Sequence, residues 1–215
     1  MVVRRINAGS SSDSNIYLII GNRTALIDTG TGTENSENIA EIKNVLGERG
    51  LDMIILTHFH FDHIGGLNGM LREFDSEAFA GAGDAPYIMN GDPRYILSDL
   101  FGRDYEPADV TELMDGDIVD LEEHRLRVVN TPGHTCGGIC LYDEVTHSLF
   151  SGDTVFSYGV GRTDFPTGSA RELTESLKKL SKIDVKMLYP GHSEISSDGN
   201  RAVRSGLLMM GGVFD

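Results

Sequence analysis

The chain has 215 residues, of which 40% are hydrophobic and 24% charged, with 26 glycines. That is the usage of a single folded domain over 1–215, and it excludes collagen-like, disordered and small disulfide-scaffold chains. Its 18 Lys and Arg against 33 Asp and Glu leave a net charge of −15, a field that repels phosphate backbones and anionic lipid, so neither nucleic acid nor membrane is expected as a partner.

The N-terminal residues carry no signal-peptide core and no run of about 18 apolar residues occurs anywhere, so a cytoplasmic setting is expected. Strands are predicted at Val2–Ile6, Ile16–Ile20 and Thr24–Asp28, separated by the Ser-rich turn Gly9–Ser12 and the hairpin-type break Gly21–Asn22. From Glu34 to Gly50 the period changes: Ile39, Ile42, Val45 and Leu46 share one helical stripe, with Glu34 and Glu37 in the first turn and Gly47 or Gly50 as the stop. Met53–Leu56 reads as a buried strand that ends abruptly in Thr57-His58, and Ile64–Phe74 as a helix opening on glycines. Residues 75–105 are mixed in pattern, with short helices around Pro86–Met89 and Tyr95–Phe101; the segment Asp84–Asp109 is expected to build a substrate pocket.

Strand signals return at Ile118–Leu121, Arg125–Asn130, Gly138–Tyr142 and Ser148–Ser151, the last two flanking a hairpin loop at Asp143–His147. The only cysteines, Cys136 and Cys140, make no disulfide framework; reduced thiols are expected, with Cys140 packed in the run Ile139–Tyr142. Ser169-x-x-Glu172 fits a capping box at the start of a helix over Ser169–Leu180, and Val185–Tyr189 is a further strand ending in Pro190-Gly191-His192. The apolar tail Gly206–Phe214 is either a final core element or a dimer contact, so the chain is expected as a monomer or homodimer.

The chemistry concentrates in His58-Phe59-His60-Phe61-Asp62-His63, a spacing that chance produces on the order of once in a thousand chains of this size. Imidazole and carboxylate suit Zn, Fe, Mn or Ni, and such a cluster is costly without a cation. In an extended loop His58 and His60 share a side, whereas Asp62 and His63 cannot both follow that alternation, so two neighbouring metals are a natural solution. Three further apolar runs end in a glycine followed by a ligand-type residue, at Gly133-His134, Gly152-Asp153 and Gly191-His192, where the missing Cβ lets the backbone turn tightly toward a site. His124 and His147, among polar residues near turns, are read as ordinary surface residues.

These motifs, in this order and together with Leu26-Ile27-Asp28-Thr29-Gly30, resemble the metallo-β-lactamase superfamily over nearly the whole chain. The resemblance implies an α+β fold, a four-layer αββα sandwich with its metal site at one edge of the two sheets. It implies that His58, His60 and His134 bind one divalent metal, that Asp62, His63 and His192 bind the other, that Asp153 bridges them, and that Asp28 orients the ligands. Zinc is the metal expected, with iron or manganese as alternatives. Residues Gly159–Pro166 are similar to a segment shared by small glyoxalase II-like proteins and persulfide dioxygenases. The leading expectation is therefore a hydrolase of a small-molecule thioester or related acyl bond, in which a water acidified by the metals attacks and Asp62 orients it and moves its proton. Only residues 193–215 follow His192, which weighs against the glutathione-holding C-terminal extension of glyoxalase II. Arg162 is a candidate contact for a substrate carboxylate, or an ion-pair partner of Asp164. Two alternatives remain open: a persulfide dioxygenase with a single iron on His58, His134 and Asp153, acting on a sulfur substrate, and a non-enzymatic metal-binding protein on the same fold.

Overall fold

The computed structural model describes residues 2–6 and 13–213; the turn Gly9–Ser12 and the end of the tail, Phe214, lie outside them. The chain runs through β1 (Val2–Arg5), β2 (Tyr17–Ile20), β3 (Thr24–Ile27), α1 (Asn35–Leu46), β4 (Met53–Leu56), α2 (Phe61–Ile64), α3 (Leu67–Phe74), β5 (Glu77–Gly81), α4 (Ala85–Asn90), α5 (Pro93–Ile96) and β6 (Thr111–Leu113). It continues through β7 (Ile118–Asp120), β8 (Arg125–Asn130), β9 (Ile139–Asp143), β10 (Ser148–Gly152), β11 (Val155–Phe156), β12 (Gly159–Val160), α6 (Ala170–Leu180), β13 (Met187–Pro190) and α7 (Gly199–Met209).

The first six strands form one sheet in sequence order, antiparallel from β1 to β3 and parallel from β3 to β6. The second sheet has the order β13-β10-β9-β8-β7, with β13 parallel to β10 and the remainder antiparallel. Strand alternation then sorts the apolar residues into three cores. Tyr17, Ile19, Ala25, Ile27, Met53 and Ile55 of the first sheet meet Leu126, Val128, Leu141 and Phe150 of the second. On the outer face of the first sheet Leu18, Leu26, Ile54 and Leu56 pack with Ile42 and Leu46 of α1 and Met70 of α3. On the outer face of the second, Val129, Cys140, Tyr142 and Leu149 pack with Leu173, Leu177 and Leu180 of α6 and Val203 and Leu207 of α7. Three cores between four layers make the αββα sandwich that the resemblance implies.

Several boundaries differ from the sequence reading. The helix expected over Ile64–Phe74 is split into α2 and α3 around Gly65 and Gly66, two positions where a Cβ would strike the backbone of the Thr29–Thr31 loop. The helix expected over Tyr95–Phe101 is broken at Leu97, whose φ of 64° ends α5 and starts a 3-10 turn over Ser98–Phe101. In the tail, Gly206 and Leu207 are buried in α7 while Leu208 and Met209 are exposed, so the segment is half core. Ser169 caps α6 as expected, its hydroxyl accepting from the Glu172 N–H at 3.3 Å.

Candidate metal centre

Strand ends bring the ligand-type residues together. Asp28 follows β3, His58 follows β4, His134 lies in the loop after β8, Asp153 follows β10 and His192 follows β13. The two sheets are stitched at this edge by the Ile139 N–H, which donates to the Thr57 carbonyl at 2.9 Å. His60 is extended, but the backbone turns helical at Phe61. Successive side chains then diverge by about 100°, which carries Asp62 and His63 to different sides.

Three clusters of potential ligand atoms result: His58, His60 and His134; His58, His63 and Asp153; and Asp62, His63 and His192. Asp153 sits between the outer two, with Oδ1 3.3 Å from His63 Nε2, and Oδ2 3.5 Å from His134 Nε2 and 3.7 Å from His192 Nε2. Asp62 Oδ2 lies 3.0 Å from His192 Nε2. The Arg162 guanidinium is exposed, paired with Asp164 at 2.7 Å and lying 4.2 Å from the centre of the Phe165 ring. The other two histidines lie elsewhere, His124 on Asp143 and His147 on Tyr142.

The rings are oriented by groups that can only accept. Asp28 Oδ2 accepts from His63 Nδ1 at 2.8 Å, and the Arg162 carbonyl accepts from His134 Nδ1 at 2.7 Å, so both rings are fixed through Nδ1 and turn Nε2 into the cluster. Asp28 also holds Thr57 through its N–H and its hydroxyl, both at 2.8 Å. His58 Nε2, His60 Nε2, His63 Nε2 and Asp153 Oδ1 are all buried without a hydrogen-bond partner. Four such orphans in one place would each cost about 1–3 kcal/mol, a penalty that a shared cation removes.

Electrostatics agree with that fit. Burial and the neighbouring imidazoles hold His58 well below the usual histidine range, and burial with His134 pushes His60 down to about 3. Burial would push His63 down as well, but the carboxylates of Asp28, Asp153 and Asp62 outweigh it and hold the ring well above the usual range. Asp153 and Asp62 are lowered in turn, His63 overcoming the burial that opposes their charge. The centre thus demands positive charge among its carboxylates and supplies neutral imidazoles beside them, the donor set of a divalent metal site.

Supporting residues are absent from the sequence reading. Asn15 clamps the His192 loop, its side chain donating to the carbonyls of Pro190 and Ser193, each at 2.9 Å. Asp84, fully buried, accepts from Phe59 N–H at 3.2 Å, the Thr135 hydroxyl at 2.7 Å and Gly137 N–H at 2.6 Å, so it ties the His58–His63 segment to the loop of His134. The one local signal for Asp84 is its place beyond a short run of small residues, 80–83.

The family profile for the metallo-beta-lactamase superfamily matches residues 11–192. The chain belongs to the metallo-β-lactamase superfamily. Among its relatives, a probable metallo-hydrolase of Methanocaldococcus jannaschii is 36% identical over 87% of this chain and 91% of its own length. A hydroxyacylglutathione hydrolase of Aliivibrio fischeri is 30% identical over 87% of this chain, which spans 64% of that protein. The fold is shared with the BLEG-1 B3 metallo-beta-lactamase, at a TM-score of 0.81 and 25% identity over 93% of this chain and 96% of that one. It is shared also with TTHA1623 in a di-iron-bound form, at a TM-score of 0.79 and 25% identity over 97% and 100%. Membership in this superfamily and the His/Asp cluster make the chain a metal-binding protein of the metallo-hydrolase type. No helix among the described residues is long and apolar enough to cross a membrane.

Proposed function

We propose that this chain is a two-metal hydrolase of small-molecule thioesters or closely related acyl compounds. The observation that carries the reading is the pair of outer triads with Asp153 between them, beside a cavity that His60, Asp62, His134 and Asp153 line on one side. His58, His60 and His134 would hold one ion, Asp62, His63 and His192 the other, and Asp153 would touch both. Zinc suits the set and so does iron, which TTHA1623 holds as a pair. Bound ions of this kind lower the pKa of water toward about 7 and polarise an acyl oxygen.

The protein's own groups do the rest. Asp62 faces the cavity, and the carboxylate oxygen not engaged by His192 is placed to take a proton from the attacking water and pass it to the departing sulfur. In balance, the water oxygen bonds to the acyl carbon, the C–S bond breaks, and the thiol leaves with the water's proton. His134 and His63 keep their rings fixed through the Arg162 carbonyl and Asp28, so no reorientation accompanies the reaction. Arg162 reaches a substrate carboxylate only by exchanging Asp164 for it. The complete second triad favours two ions over one, and with them hydrolysis over oxygen chemistry on a single iron. Similarity to the hydroxyacylglutathione hydrolase supports a thioester as the substrate class. The test is thiol release from a thioester panel by zinc-loaded protein: Asp62→Asn should lower kcat by at least about 100-fold. Oxygen uptake with a persulfide and no thioester hydrolysis would contradict the proposal.

A further inference from the structure

The cavity beside the triads has a volume of about 110 Å³ and two kinds of wall. One is the metal centre; the other is hydrocarbon, supplied by Leu97, Leu100, Phe101 and Phe165. We infer that the apolar wall is an acyl subsite that selects thioesters of short, unsubstituted acyl groups, an inference that rests on the hydrolase reading and names its substrate class. Every polar side chain lining the cavity belongs to the metal centre, so the part of a substrate that does not react meets only carbon. A hydroxyl or a charge on that part would be buried without a partner. The space is small beside the roughly 300–1,000 Å³ of pockets that enclose drug-sized ligands, which suits a short acyl chain.

The wall is built by a specific backbone device. Leu97 adopts a left-handed conformation that no β-carbon favours, and by ending α5 it swings the 3-10 turn Ser98–Phe101 over the site. The flanking Ile96 and Ser98 are buried and hold the kink in place. Leu100 is left 69% exposed at the cavity mouth, an apolar side chain positioned where a substrate would cover it. Phe101 is braced on Phe61, with ring centres 5.4 Å apart, immediately before Asp62. Phe165 is braced edge-on against His60 at 5.5 Å, so this part of the apolar wall is fixed to a ligand-type ring. Wall and metal centre are therefore held in register by two aromatic contacts, and the carbonyl of a bound acyl group and its chain have separate places to sit.

The experiment is kcat/KM of the zinc-loaded protein for one thiol, N-acetylcysteamine, carrying acetyl, butyryl, octanoyl or 3-hydroxybutyryl groups. Butyryl should exceed acetyl by roughly fourfold for each methylene, the rate equivalent of about 0.8 kcal/mol. Octanoyl should fall below butyryl, and 3-hydroxybutyryl should be slower than butyryl by about tenfold. Leu100→Asp, at an exposed position, should lower the butyryl rate at least tenfold while metal content stays the same, and Phe101→Ala should move the optimum to longer chains. Equal rates across the panel, or variants that leave the profile unchanged, would overturn the acyl subsite while leaving the thioesterase intact. Failure of the metal-loaded protein on every thioester would instead remove the hydrolase reading, and the subsite with it.

Discussion

Asp28 controls His63 through one hydrogen bond and Thr57 through two more. Asp28→Ala should weaken metal binding by about 10–100-fold, read by titration against a chelator, because the ring then loses its fixed orientation; unchanged affinity would show that packing alone positions it. The two triads should also differ in their response to pH. His63 is raised well above its ordinary value when no cation is bound, so a metal at its triad must expel a proton. Affinity there should therefore rise with pH, the more so because His192 of the same triad is raised too, whereas His58 and His60, held below the usual range, add no such dependence. Metal titrations at pH 6, 7 and 8 check this. Asp84 is a third case: Asp84→Ala strands three donors and should cost roughly 3 kcal/mol in denaturant unfolding, with Asp84→Asn costing less. Burial pushes the Asp84 carboxyl up to about 7 from 3.8, so its contribution is complete below the lower value and is lost as pH rises to the higher one. The stability of Asp84→Asn relative to the parent should therefore improve over that window, and a constant difference would contradict the assignment.

At the scale of elements, the site depends on strands that stop together and on turns that let them approach. Gly161 lies where a Cβ would meet the Asp153 carbonyl and come within 2.9 Å of His134 Nδ1. Gly161→Ala should displace the Arg162 carbonyl from His134 and lower metal content from two ions toward one at nearly unchanged helix content, measured by elemental analysis and circular dichroism; full retention of two ions would contradict it. The same contrast explains what could be read in the sequence. Ligand-type side chains at spacings of one to two residues, and glycines before His134, Asp153 and His192, are local patterns, as are the stripes of α1 and α6. Asp84 is not local, because its partners lie 25 to 53 residues away and become neighbours only when the sheets pack. β5 escaped notice because Glu77–Gly81 is short and carries only one large apolar residue, Phe79, and β6 because three residues carry no period. α7 was hidden by Gly199 and Gly206 inside it, although Asp198 caps it, accepting from Arg201 N–H at 3.1 Å. For the 3-10 turn over the site the obstacle was Leu97, since a leucine gives no warning of a left-handed backbone.

For the molecule as a whole, three apolar cores hold the layers while the ligand edge concentrates buried polar groups that only a cation satisfies. The fold therefore stands largely on packing, and the metals stabilise it further by mass action. Ions held a thousandfold above their dissociation constant add about 4 kcal/mol. Chelation should accordingly lower Tm by several degrees without abolishing cooperative unfolding; loss of the folded state on chelation would mean that the metals, not the cores, hold the layers together. The central claim is that both triads must be filled for the chain to act as a hydrolase. The measurement that meets it most directly is titration of metal-free protein with zinc while following thioester hydrolysis. The account predicts activity that rises to a break at two ions per chain; a break at one ion, or full hydrolysis with none, would contradict it.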